Sequence, residues 1–295
     1  MKKFINKLLG SIFVFLTFCI LVYAILIKID LLSRKFENTK VLFLGDSQIQ
    51  KGVNSSAFPF SKNMAVSGEP LFFTFYKIKY ILKHKNNVKK IVLGIGIHSF
   101  SDFYDEIALG KISNLDNTHE YFSYLPREFK SQLLIEHRSD LLKYISRIIN
   151  SLIINSTNLK HFSSNFAGGF YNNDSSSFDL IKTKQRVNKA FYKNGKVRNI
   201  SGLCVNYLDS IIQICKINEI QLDIIRMPVY DEYFKLVPRL FSNNYEMILN
   251  QRRIKPYSFG KKLNSIYFLP DGDHLNVLGS SIITNDLYNY YYLKY

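Results

Sequence analysis

A chain of 295 residues with 47% hydrophobic and 15% aromatic side chains can bury a sizeable core, which excludes wholesale disorder. Its formal net charge is +16, carried by 29 Lys and 10 Arg, a sign that suits a membrane surface, an acidic polymer or nucleic acid. The lysines are scattered and no basic helix with interleaved aromatics occurs, so no nucleic-acid role is expected.

The first element in chain order is apolar. Leu8 to Ile27 is a run of 20 residues without a charge, about 30 Å long as a helix and enough to cross a bilayer. Lys2, Lys3 and Lys7 precede it, and Lys28, Arg34 and Lys35 follow, so flanking charge alone does not fix orientation. A cleaved signal peptide is the competing reading. The run exceeds the usual ~7–15 apolar residues and lacks a small-x-small cleavage site, which favours an uncleaved single-pass anchor. Residues 1–35 are therefore expected to form a cytoplasmic tip and anchor, and residues 36–295 one extracytoplasmic body with an insertion at about 100–200.

Beyond the anchor, apolar strands alternate with helical patterns. "KVLFLG" (40–45) reads as a strand, "NMAV" (63–66) as a second short one, and "EPLFFTFYKIKYILKH" (69–84) as a helix with Pro70 in its first turn. "KKIVLGIG" (89–96) is a third strand of buried type. A polar helix-and-loop region follows, with a long amphipathic helix near 128–154 and a loop by composition at 163–178. The alternation resumes with a helix at 203–217, a strand at 220–227, a strand "SIYFL" at 265–269 and a closing helix from about 277. This order argues for an α/β domain whose parallel sheet is covered on both faces. Cys204 and Cys215 sit eleven residues apart on one helix, about 16 Å at ~1.5 Å per residue, so they are expected as buried thiols. A disulfide needs Cα atoms within ~7 Å.

In such sheets chemistry gathers at the carboxyl ends of the strands. Gly45-Asp46-Ser47 stands at one such end. Gly45 permits a sharp turn, and a serine just past it can hold its hydroxyl clear of the sheet. The alternative is that Asp46 or Ser47 only caps a helix. A serine hydroxyl needs a base held by a third group. Of six histidines, His84 ends a Lys-rich helix, and His119, His137 and His161 lack an acidic partner at telling spacing. His274 differs: in "LPDGDHLNVLGS", Asp271 stands three residues before it and Asp273 beside it. The competing reading is a polar loop in which Asp273 or Asn276 caps the last helix. Backbone donors for an oxyanion are offered by Ser67-Gly68 after the second strand, and by Gly94, Gly96 and His98 after the third.

Gly45-Asp46-Ser47 near the start, Gly68, the third-strand glycine loop and Asp271-x-x-His274 near the C-terminus resemble, in that order, the SGNH (GDSL-type) esterase superfamily. The resemblance spans roughly residues 40 to 290, with the middle region outside it. It implies a flavodoxin-like three-layer α/β/α sandwich, with Ser47 as nucleophile, His274 as base, Asp271 as its partner, and the N–H groups of Ser47 and Gly68 as oxyanion donors. The third block departs from the family's Gly-x-Asn: here it is Gly96-Ile97-His98, and a ring N–H of His98 is the candidate replacement donor. With the anchor, this variant is similar to envelope-polysaccharide proteins of the superfamily, including alginate-type O-acetyltransferases and D-alanyl-transfer proteins of teichoic acid.

The resulting expectation is a membrane-anchored esterase or O-acyltransferase acting on acyl, in the first instance acetyl, esters of an envelope glycan. No cofactor or metal is expected, because "DGDH" is too compact to form a metal site alone. A membrane-bound acyl donor protein is a further candidate partner. Phe103, Tyr104, Phe170 and Tyr171 are candidates for stacking on sugars, with packing as the competing role. Two other functions stay open: a non-catalytic glycan-binding or assembly protein with a degenerate site, and a lipid-directed esterase or thioesterase.

Overall fold

The computed structural model describes residues 38–83, 87–109, 121, 125–136, 138–143, 145–148, 168–172, 176, 178–260 and 262–292, together with 10, 11, 13, 14, 17 and 18. The expected anchor at 8–27 and His84, His119, His137 and His161 lie largely or wholly outside the described residues. Among the described residues no helix is long and apolar enough to cross a membrane.

Five short parallel strands form the sheet. β1 is Val41–Leu44, β2 Ser61–Asn63 and β3 Lys90–Gly94; β4 (Tyr192–Lys193) and β5 (Lys196–Val197) form a separate hairpin; β6 is Gln221–Arg226 and β7 Tyr257–Ser258. The order across the sheet is β2-β1-β3-β6-β7, with every pairing parallel. The chain runs outward from β1 to β2 on one side and crosses to β3 on the other. The sheet therefore has its switch point at the carboxyl ends of β1 and β3, where doubly wound folds place their sites.

Alternation along the strands divides the core into two layers, since successive side chains point to opposite faces. Leu42, Leu44, Ile91, Leu93 and Ile224 face one layer, with α2 (Leu71–Lys83), α6 (Gly202–Ile217) and α8 (Arg239–Gln251). Phe43, Val92 and Ile225 face the other, with α1 (Ser47–Gly52) and α9 (Val277–Tyr292). The result is a three-layer α/β/α arrangement. Cys204 and Cys215 on α6 are both buried free thiols.

Three sequence expectations change in detail. The fifth strand is Tyr257–Ser258, not 265–269: Ser265–Tyr267 is a 3-10 turn whose start is held by the Asn264 side chain, and Phe268 makes a single antiparallel bridge to Leu275. The apolar residues Ile266 to Leu269 there serve a loop that doubles back. The second strand ends at Asn63 rather than Val66, although Met64 N–H and Val66 N–H still donate to Phe43 and Gly45 carbonyls. The helix expected at 128–154 is described as α4 (Arg127–Glu136) followed by a 3-10 turn at Arg138–Asp140. The insertion also contains α3 (Phe103–Ala108) and α5 (Leu180–Phe191), and the β4–β5 hairpin turns on Asn194-Gly195 with φ of 51° and 74°, the left-handed pair that such two-residue turns require.

α1 lies tight on the sheet because Gly94 has no side chain. A Cβ there would sit 2.1 Å from Ile49 Cγ1 and 2.4 Å from its Cδ1. Gly94→Ala should therefore lower folding stability by about 1–3 kcal/mol, the scale of core overpacking. Chemical denaturation of Gly94→Ala, Ile49→Ala and the double variant checks this. The double variant should lose less than the sum of the singles, because Ile49→Ala clears the space; strict additivity would show that the two residues do not meet.

Candidate active site

Gly45 leaves β1 at φ 138°, a conformation that a side chain would strain. The chain then enters α1 directly, with Asp46 as its N-cap: Oδ1 accepts from Gln48 N–H at 2.9 Å. The capping reading of Asp46 thus holds, and Ser47 is freed by it to stand at the first turn. Across the sheet end, residues 269–274 form a closed loop. Leu269 N–H donates to the His274 carbonyl at 2.8 Å, Gly272 N–H donates to the Leu269 carbonyl, and Gly272 has φ 65°. Asn276 Oδ1 accepts from Leu278 and Gly279 N–H, so this residue caps α9.

The turn brings three groups into line. His274 Nε2 lies 2.7 Å from Ser47 Oγ, and His274 Nδ1 lies 2.7 Å from Asp271 Oδ2. Asp271 is fixed in turn by its other oxygen, which accepts from the N–H groups of Asp273 and His274 at 3.1 Å each. Burial pushes the Asp271 carboxyl up, but the adjacent His274 ring outweighs this and holds it below the ordinary carboxylate value. An ionised Asp271 accepts from Nδ1–H, which leaves Nε2 as the lone-pair nitrogen facing the serine hydroxyl. Ser47 and His274 are each 7% exposed.

Beneath this line lies a second, largely buried polar layer. His98 Nε2 is 2.6 Å from Asp46 Oδ2, and Tyr104 OH donates to the same oxygen at 3.3 Å. The other ring nitrogen of His98 faces Asp273 Oδ1 at 3.8 Å. Gln48 Nε2 donates to Asp273 Oδ1 at 2.8 Å, and Arg186 Nε donates to Asp273 Oδ2 at 2.7 Å. Burial disfavours a charge on either partner of the first pair. Each still favours the other: His98 holds the Asp46 carboxyl below its usual value, while Asp46 and Asp273 lift His98 above its own. Asp273 is held well down against its burial, first by Arg186. Two carboxylates are thus balanced by two cations.

The geometry gives His98 a structural partner: Nε2 bonds to Asp46, and the other ring nitrogen faces Asp273. A buried Asp46 carboxylate needs such a partner, because an unpaired buried charge is costly. Gly96 is required by the same ring, since a Cβ there would meet His98 Cε1 at 2.5 Å and Gln48 Oε1 at 2.7 Å.

Gly68 sits at φ 72° in the turn closed by Glu69 N–H to the Val66 carbonyl. Ser67 Oγ donates to Gln50 Oε1 at 2.5 Å, which ties this turn to α1. The next residue, Glu69, is buried in an ion pair with Lys77 at 2.5 Å, and it accepts further bonds from Thr74 and Tyr121 hydroxyls. Of the four aromatics considered for sugar stacking, Phe103 and Tyr104 are buried in packing, whereas Tyr171 is 63% exposed. Its segment, 168–172, is tied to the C-terminal half of α1, with Tyr171 N–H bonded to the Gln50 carbonyl and Asn172 Nδ2 to the Lys51 and Leu275 carbonyls.

Gln48, Tyr104 and Arg186 carry no sequence signal for these positions. A partly buried arginine on an amphipathic helix resembles any solvated one until its acid is located.

No protein-family model matches the chain. No curated protein matches it either. Among solved structures it is similar to a Streptococcus pneumonia protein provisionally described as a platelet activating factor, at 13% identity over 92% of each chain with a TM-score of 0.41. The reading of the site rests on its own geometry.

Proposed function

We propose that this protein is a serine esterase or O-acyltransferase of SGNH type. The observation that carries this reading is the unbroken chain of 2.7 Å contacts from Ser47 Oγ through the His274 ring to Asp271. In this mechanism Ser47 attacks an acyl carbonyl while His274 Nε2 takes its proton, and Asp271 orients the ring and stabilises its charged form. The developing oxyanion is received by the N–H groups of Ser47 and Gly68. Gln48 N–H is already committed to Asp46, which supports a two-donor hole. His274 then returns the proton to the leaving group, and water or a sugar hydroxyl accepts the acyl group.

The charge-free run at 8–27 supports an anchored enzyme with its body outside the cytoplasm. An acylated envelope glycan is the substrate class we favour, with Tyr171 as the exposed aromatic available to a sugar ring. The non-catalytic alternative draws on one observation, the diversion of His98 to Asp46, which removes the family's third donor.

A fluorophosphonate probe separates the readings. Incubated with the full chain in detergent, it should form a covalent adduct that peptide mass spectrometry places on Ser47, and Ser47→Ala should abolish it. A folded wild-type chain that stays unlabelled, and releases no acetate from an acetyl ester, would leave only the non-catalytic reading.

A further inference from the structure

We propose that Arg186 is a positioning residue of the triad: by holding the Asp273 carboxylate, it keeps that charge from competing with Ser47 for His274. The inference rests on the esterase reading above. Asp273 Oδ2 lies 4.0 Å from His274 Nε2, the same nitrogen that stands 2.7 Å from Ser47 Oγ. The Asp273 side chain is 0% exposed, so water does not screen it. An opposite charge at ~4–6 Å favours a protonated histidine by roughly 1–3 pH units. A base protonated in advance cannot take the serine proton.

The structure spends that charge elsewhere. Arg186 directs both Nε, at 2.7 Å, and Nη2, at 2.6 Å, to Oδ2, the oxygen nearer to His274. Gln48 occupies Oδ1. A guanidinium stays charged throughout the working pH range, whereas His98, the other cation beside Asp273, titrates. The groups facing His274 are Ser47, Asp271 and Asp273. Those around Asp273 and Arg186 are Gln48, His98, Tyr104 and Tyr233. Both tyrosines are held neutral, burial pushing their hydroxyls well above the usual phenol range.

Arg186 is carried on α5, and the start of that helix is fastened to the catalytic loop. Asp179 N–H donates to the Pro270 carbonyl at 3.0 Å, and Thr183 Oγ1 donates to it at 3.2 Å. The insertion therefore supplies a working part of the site, and is more than a cover.

Titration of the histidine Cε1–H signals by NMR, on full chain in detergent with His274→Asn to identify its resonance, tests the proposal. Arg186→Met should raise the His274 midpoint, and the acid limb of kcat/KM should move to higher pH with it while KM changes little. Arg186→Lys should stay near wild type. Arg186→Met combined with Asp273→Asn should return the midpoint to its original position, because the charge that needed neutralising is gone. An unshifted midpoint in folded Arg186→Met, or no return in the double variant, would overturn the proposal. If Arg186→Met does not fold, Asp273→Asn alone decides: it should lower the midpoint, and an unchanged value defeats the inference. Should the wild type hydrolyse no ester, the esterase reading fails, while the midpoints still report whether Arg186 shields His274.

Discussion

Replacing Ser47 or His274 by Ala is expected to lower kcat for ester cleavage by a factor on the order of 10⁶. The two residues share one proton transfer across 2.7 Å, so the double variant should be scarcely worse than either single one. Asp271→Asn should cost about 10⁴, because an amide can no longer accept from Nδ1–H and the ring is left in the wrong tautomer. Asp273→Asn should cost far less, since this carboxylate bonds to Gln48 and Arg186 and lies 4.0 Å from the ring. Steady-state rates on a chromogenic acetyl ester, with circular dichroism as the control for folding, check the series. A larger loss for Asp273→Asn than for Asp271→Asn would reverse the assignment of the orienting acid.

The second large effect is on stability. His98→Ala should destabilise the fold by about 3–5 kcal/mol, the cost of leaving one member of a buried ion pair alone. The partner left behind is Asp46, 5% exposed, with its oxygen 2.6 Å from the lost ring. The pH dependence has a definite sign. His98 is raised above its ordinary value in the fold, so its contribution is complete below the unfolded value near ~6.5 and fades as pH climbs through the raised one. Asp46 is lowered, so its contribution is present above the unfolded value near ~3.9 and disappears as pH falls through the lowered one. The difference in melting temperature between wild type and His98→Ala should accordingly be largest between about pH 4 and 6.5 and shrink on either side. His98→Asn, which keeps a donor for Asp46 but no charge, should recover only part of the loss. If His98→Ala instead kept its melting temperature and lost 10²–10³ in kcat, about the cost of one oxyanion donor, the ring would belong to the oxyanion hole after all.

The sheet was legible wherever the signal was local. β1 and β3 are contiguous apolar runs, β6 carries Leu222, Ile224 and Ile225, and α2 and α6 repeat their apolar residues at helical spacing. β7 was not legible, because two residues carry no pattern and only their register against Ile225 and Arg226 makes them a strand. "SIYFL" misled for the opposite reason: its composition suits a strand, yet its buried members Phe268 and Leu269 pack under a returning loop. Asp271, His274 and Ser47 could be picked out because chain spacing and strand ends limit where such groups go. The polar layer beneath them could not. Asp46 and His98 are 52 residues apart and Arg186 and Asp273 are 87 apart, and nothing along the chain ties a buried cation to its acid. His98 was read from its position after β3, whereas its orientation is set by a charge on another strand's exit.

Among the described residues Ser47 gives its hydroxyl to His274 and makes no other side-chain hydrogen bond, while Asp46, His98, Asp273 and Arg186 hold one another. The hydroxyl is thus dispensable to the architecture, and the charged quartet is not. A lineage descending from this chain can shed its chemistry by a single nucleotide change and keep the same shape. It cannot discharge His98 without leaving the buried Asp46 carboxylate alone. Inheritance should therefore preserve that pair together even in descendants that retain only the capacity to bind.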